Sequence, residues 1–332
     1  MTSITQPRPP ASRPSRDEVP QDAAMISDRK RIAVAICTYK RNEPLRVLLA
    51  ALIACAERVK SRAAVGVAIV DDSTDGQARS VADDFADKFE LGLAYRISGK
   101  QNISLARNLA LQTALEVADW VAMTDDDCEP SPEWIEAFLD LQERTGADAV
   151  TGRMERRVPK GSPRWITEQP FLEAGLVRQV DGAEMHTAST HNSMISGEWL
   201  RSHPDIRFDP RFGVIGGEDM VFYRAARTAG LRIRYSQQAV AYENEPPART
   251  TFRYQLFSSL WQGNSSYHTC RESGQQGWRL LVHGCASLGA ALLRPFRRIA
   301  EGKTPQWRYC VALVCDAVGK LLGAVGVRID HH

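Results

Sequence analysis

Three aspartates in a row, Asp125, Asp126 and Asp127, follow the apolar stretch WVAM at 120–123. Like charges at the end of a buried strand repel, and an unpaired carboxylate out of water is expensive. A cation offsets both costs. Hard carboxylate oxygens suit Mg²⁺ or Mn²⁺, which take one or two protein carboxylates and fill their shell with substrate phosphates. The same side chains equally suit the start of a helix, where negative charge is favoured. A second acidic pair, Glu218 and Asp219, follows Gly216 and Gly217. Glycines let the backbone turn closely against a ligand, and an ionised aspartate there can take a proton from an attacking hydroxyl. Carboxylates in a first helical turn also have this plainer reason to be there. A third group, Lys100, Arg107 and Asn108, surrounds a loop-to-helix junction. Positive groups and backbone donors at such a junction hold phosphate; a helix capped by Asn102 or Ser104 is the simpler reading. His186, His191 and His203 have no ligand spacing and read as structural.

The elements that position these groups follow from periodicity. RIAVAIC at 31–37 and VGVAIV at 65–70 are short apolar runs, each ending in polar residues, TYKR at 38–41 and DDSTDG at 71–76. They read as buried strands. Leu45, Leu48, Leu49, Leu52 and Ile53 repeat at helical spacing, with Pro44 in the first turn. A helix over 77–89, a strand over 91–97, a helix over 104–116 and a strand at 120–123 follow. Strands alternating with helices imply an α/β fold with a mostly parallel sheet covered on both faces. Ligands of such sheets bind beyond the carboxyl ends of the strands. Thr38–Arg41, Asp71–Asp75 and Asp125–Asp127 should therefore converge on one edge. Beyond 130 the pattern predicts a helix over 131–144 whose start, SPEW, looks capped. A strand pair, or a strand running into a loop, over 147–158, a strand near 190–195, a helix over 220–229 ended by Gly230, and two short strands at 231–235 and 239–242 complete it.

The 332 residues carry 42 Lys+Arg against 40 Asp+Glu, a balance that argues against a dedicated nucleic-acid binder. Seven scattered cysteines without a CxxC pair read as reduced thiols of a cytosolic compartment. Residues 1–29 are rich in Pro, Ser and charge, lack the apolar core of a secretory signal, and read as a disordered lead-in. The runs at 282–293 and 309–327 fall short of a membrane span. They look like amphipathic helices with basic flanks, suited to an anionic membrane surface or to packing on the domain or a partner chain.

Five stretches in order, VAICTYKR (34–41), VDDSTDG (70–76), NISLARN (102–108), TDDD (124–127) and GED (217–219), resemble the inverting glycosyltransferases of the GT-A fold, family 2, over roughly residues 30–265. The resemblance implies a Rossmann-like nucleotide-binding half, an acceptor-binding half and a C-terminal helical region over 266–332. It implies that Thr38 and Arg41 line the nucleotide pocket, that Asp71 or Asp72 meets the base, and that Arg107 helps hold the nucleotide, beside the Lys100 of the loop-to-helix junction. Asp125 and Asp126 would lie near ribose or metal, with Asp127 the best metal ligand. Asp219 would be the catalytic base, with Glu218 beside it. The donor would be a nucleotide sugar, most often a UDP-sugar, with Mn²⁺ or Mg²⁺ as cofactor. YENEPPARTTFR (242–253) and WQGN (261–264) are similar to bacterial exopolysaccharide enzymes of the succinoglycan type. That similarity implies a saccharide or lipid-linked saccharide acceptor at the cytoplasmic face of the inner membrane. Relatives often carry a histidine where Glu243 stands, and an arginine-rich helix where YQLFSSLW (254–261) stands. A metal-dependent nucleotidyltransferase and a non-catalytic GT-A-like scaffold are the alternatives.

Overall fold

The computed structural model describes residues 29–330. The expected lead-in over 1–29 falls outside these residues apart from Arg29. Four parallel strands form one half of the sheet: β1 (Lys30–Thr38), β2 (Ala63–Asp71), β3 (Leu93–Ile97) and β4 (Trp120–Met123). They alternate with α1 (Asn42–Val59), α2 (Arg79–Asp84) and α3 (Ile103–Leu115). All nine residues of β2 are buried, as expected of a parallel strand covered on both faces. The helical repeat of α1 lays Leu45, Leu48, Leu49, Leu52, Cys55 and Val59 on one face of the sheet. The small residues Ala106, Ala110 and Ala114 bring α3 close to the other face.

The second half is mixed. It holds β5 (Cys128–Pro130), α4 (Trp134–Thr145), β6 (Ala149–Arg157), α5 (Arg164–Glu168), β7 (Glu184–Met185), β8 (Ser193–Ser196), α6 (Gly197–Ser202), α7 (Glu218–Thr228) and β9 (Ile233–Asn244). The nine-stranded sheet runs β3-β2-β1-β4-β8-β6-β9-β5, with β7 paired to β9. The strand order runs outward from β1 to β3 and resumes at β4 on the other side of β1, and chain direction reverses at β4–β8. An open α/β sheet binds its ligand at such a switch point. Thr38 pairs with Asp71 and Ala35 with Met123. The three polar sets therefore share one sheet edge.

Several expectations change. The helix predicted over 77–89 is six residues long, and turns follow it to Phe89. The helix predicted over 131–144 starts at Trp134 without a side-chain cap, and Gly146 ends it in the left-handed region. The two strands predicted at 231–235 and 239–242 are one strand, β9. Its register against β6 slips between Gly152 and Arg153, so Gln237 and Gln238 bulge out rather than turn. Gly152 stands at that slip because a Cβ there would lie 2.2 Å from the Ala239 carbonyl oxygen.

Three further helices follow: α8 (Phe252–Glu272), α9 (Gly277–Ala300) and α10 (Trp307–Ala324). A boundary at 265 falls inside α8. Helix α10 packs along α8 at glycine contacts: a Cβ on Gly263 would meet the Asp316 carbonyl oxygen, and one on Gly319 that of Leu260. No helix among the described residues is long and apolar enough to cross a membrane.

Candidate active site

A cleft of about 780 Å³ opens at the sheet edge, within the usual size of a small-ligand site. Thr38, Arg41, Asp72, Arg107, Asp125, Asp126, Asp127, Glu218 and Asp219 all line it. Asp71 and Lys100 are not among its lining residues. The Asp71 carboxylate is fully buried and accepts from the Ser73 and Ala78 backbone N–H groups and the Tyr95 hydroxyl. Asp72 accepts from the backbone N–H groups of Lys100, Gln101 and Asn102, while the Lys100 residue is exposed. The two aspartates leave the strand end in different directions. Asp72 holds the loop that leads into α3, which Asn102 caps. Asp71→Ala should lower stability by about 3 kcal/mol or more, because it strands three buried donors. A denaturant titration checks this.

The aspartate triplet is divided by its partners. Asp126 is buried, accepts from Thr38 Oγ1 at 2.8 Å and Arg41 at 3.0 Å, and ties β1 to the loop after β4. Asp125 accepts from Arg107 at 3.0 Å. The surrounding protein disfavours charge on Asp125, yet Arg107, His191 and Arg41 together hold its carboxyl below the ordinary value. Asp127 sits 2.8 Å from Arg41 and 3.5 Å from Arg249. Burial, then Asp125 and Asp126, push its carboxyl up to about 7. Arg107 also pairs with Glu218, so one guanidinium joins the two acidic sites. The sequence reading had Arg107 holding nucleotide; here carboxylates from both halves engage it.

Asp219 lies at the start of α7. Its Oδ2 accepts from Ser189 Oγ at 2.8 Å, and Ser189 Oγ is also 2.6 Å from His191 Nδ1. Gly216 and Gly217, at φ +79° and +85°, make the turn before it. Helix α8 clamps that turn: Trp261 Nε1 donates to the Ile215 carbonyl and Ser265 Oγ to that of Gly216. A Cβ on Gly216 would lie 2.3 Å from the Trp261 ring, so the turn needs glycine for both space and φ. Ser189→Ala removes one hydrogen bond that aims Asp219. Turnover should fall about 10-fold with donor affinity unchanged, as a kcat-against-KM comparison would show.

The sequence reading missed Ser189, Arg156, Glu245 and Arg249, and took His191 for structural. All of these line the cleft. Glu243, whose role was open, accepts from Arg156 at 3.0 Å and pairs with Arg249 at 3.4 Å. Local spacing marks none of them: Glu245 and Arg249, or Ser189 and His191, are near neighbours in the chain, but only the fold brings them to Asp127 and Asp219.

Among the described residues, no group of three or more His, Cys, Asp or Glu forms a ready cation cage. The charge balance nevertheless fits an ion shared with a ligand. Asp125, Asp126, Asp127, Glu218, Asp219, Glu243 and Glu245 face Arg41, Arg107, Arg156 and Arg249 in one cleft. An excess of carboxylates repels a diphosphate unless a cation joins it, and Asp127 already carries the penalty of that crowding.

Acidic and basic side chains gathered at the switch point of a half-parallel sheet mark the place where such a fold binds its ligand. The glycosyl transferase family 2 model matches residues 33–203, and the chain belongs to that family. It is a glycosyltransferase that uses a nucleotide-sugar donor. The succinoglycan biosynthesis protein ExoM of Rhizobium meliloti is 27% identical over 268 residues, which cover 79% of this chain and 84% of ExoM. A glucosyl-dolichyl phosphate glucuronosyltransferase of Haloferax volcanii is 26% identical over 245 residues, 71% of this chain and 76% of that protein. The structure of S. aureus TarS 1-349 in complex with UDP superposes with a TM-score of 0.53 at 17% identity, covering 87% of this chain and 89% of that one. That likeness shows a shared fold, the GT-A architecture expected from the motifs.

Proposed function

We propose that the chain is a metal-dependent inverting glycosyltransferase. It moves a sugar from a UDP-sugar to a hydroxyl of a saccharide or lipid-linked saccharide, in exopolysaccharide or cell-surface glycan synthesis. The observation that carries this is the placement of Asp219. It faces the cleft from the second half of the sheet, while Thr38, Arg41 and Asp72 line it from the first. The similarity to ExoM, a succinoglycan biosynthesis protein, supports an exopolysaccharide role. The TarS complex with UDP supports uridine as the base.

Asp219 accepts the proton of the acceptor hydroxyl, and the freed oxygen attacks the anomeric carbon from the face opposite the nucleotide. The C–O bond to the diphosphate breaks, and configuration inverts. Ser189 fixes the orientation of Asp219. Glu218 is a positioning residue, since Arg107 engages it. Arg41 and Arg249 stand where they can meet diphosphate oxygens. Asp127, with Asp125, would hold a Mn²⁺ or Mg²⁺ ion, which when bound neutralises charge on the leaving diphosphate. A single carboxylate base suffices, unlike the paired carboxylates of a hydrolase. We assign the transferase unit to residue 30 through α8, with the C-terminal helices making peripheral contact at the cytoplasmic membrane face.

Family membership sets the nucleotidyltransferase alternative aside, and the carboxylates gathered in the cleft argue against a scaffold. The test is product stereochemistry. Incubation with UDP-α-sugars, Mn²⁺ and saccharide acceptors should release UDP and give a β-linked product by NMR. An α-linked product, or pyrophosphate release from UTP without sugar transfer, would overturn the reading.

A further inference from the structure

Helix α9 carries two apolar sides. One buries Leu280, Gly284 and Ala291, and a Cβ on Gly284 would lie 2.9 Å from Leu321 of α10. The other presents Trp278, Val282, Leu292, Leu293, Phe296 and Ile299, each more than half exposed. At about 100° per residue these six fall within an arc of roughly 120°. A stripe so long and so regular is not scattered surface hydrophobicity.

The charge around it is one-sided. Between 273 and 308 stand six basic residues (Arg279, Arg294, Arg297, Arg298, Lys303 and Arg308) and one acid, Glu301. The chain as a whole is nearly balanced at +2. The position is also informative. Arg294 stacks on the Tyr309 ring, with its guanidinium carbon 5.3 Å from the centroid, and Tyr309 lines the cleft beside Ile166 and Phe171. Helix α9 thus lies beside the apolar end of the active-site cleft, with Arg294 on its inner side and the stripe turned outward.

We propose that α9 is an in-plane membrane helix. Its exposed stripe enters the headgroup–acyl boundary of an anionic phospholipid bilayer, and its arginines meet the lipid phosphates. An apolar stripe flanked almost wholly by cations matches that surface, and Trp278 and Trp307 suit its interface. The helix that enters the bilayer stands next to the apolar end of the cleft, which keeps the site close to the surface where a lipid-borne acceptor would present its sugar. The binding deepens the peripheral membrane contact proposed above by assigning it to one helix and one lipid class, and the last consequence rests on the lipid-linked acceptor proposed there.

The full chain is floated with vesicles of phosphatidylglycerol mixed with phosphatidylcholine, and with phosphatidylcholine alone, without donor. The chain should float with the anionic vesicles, less so at high salt. The Leu293→Glu/Phe296→Glu variant should lose at least about 10-fold in partition. UDP calorimetry on the same variant should match the wild type, which separates a lost surface from a lost fold and reads the donor site independently. A chain that stays with the sediment, or a variant that floats as well as the wild type, overturns the proposal. So does a dimer in sedimentation equilibrium that the variant dissociates in the absence of any flotation, which would assign the stripe to a second copy.

Discussion

Asp219→Asn lowers turnover roughly 100- to 10,000-fold, the usual worth of a positioned general base, and leaves UDP affinity nearly unchanged. Asparagine keeps the size of the side chain and, through its oxygen, the contact with Ser189; it gives up the bond that Oδ1 accepts from the Met220 N–H and the ability to take a proton. The contrast with Glu218 makes the assignment specific. Glu218 is buried against Arg107, so Glu218→Gln weakens the pair that joins the two acidic sites. Its effect should appear in stability as well as rate, because it releases a buried arginine. A base in the cleft and a strut beneath it thus separate in one experiment that pairs steady-state kinetics with thermal unfolding.

Asp127→Asn stabilises the unliganded protein above pH 7 and abolishes metal-dependent donor binding. The sign follows from the raised carboxyl of Asp127. Its ordinary value is 3.8 and its folded value about 7, so the folded chain holds the proton more tightly than the unfolded one. The stability that this proton contributes is complete below about pH 4 and is lost as pH rises through 7. Asparagine resembles the protonated form at every pH. Its advantage over wild type should therefore be near zero at pH 4, grow across the window, and level off above 7 at a few kcal/mol at most. Thermal unfolding from pH 4 to 8 measures it. A stability cost of this kind at Asp127 is what a charge kept for a ligand would produce.

The parallel half of the fold was legible because its signals are local. Apolar runs such as 65–70 and the repeat Leu45, Leu48, Leu49, Leu52 state their own period. Strand β9 was not, because the polar pair Gln237 and Gln238 looks the same in a turn and in a bulge; only the partner strand decides. The aspartate triplet and the Gly-Gly-Glu-Asp turn were legible as candidates. Their division of labour was not, since it depends on Arg41, Arg107 and Arg249 arriving from three separate elements. Asp71 and Asp72 are neighbours in the chain, and one step around the strand end decides which of them reaches the cleft. Ser189 reaches Asp219 from a loop thirty residues upstream, a pairing without a sequence signature. The run at 309–327 suits a membrane surface or packing on the domain equally well in sequence, and the glycines of α10 seat it against α8.

The central claim is that one cleft takes the diphosphate of a UDP-sugar through Asp127 and a divalent cation. Calorimetric titration of UDP into the wild-type chain and into Asp127→Asn, each with and without Mn²⁺, tests it most directly. The account predicts binding to the wild type that needs Mn²⁺ and is lost in the variant. Equal binding with and without the ion, or a variant that binds as the wild type does, would contradict it.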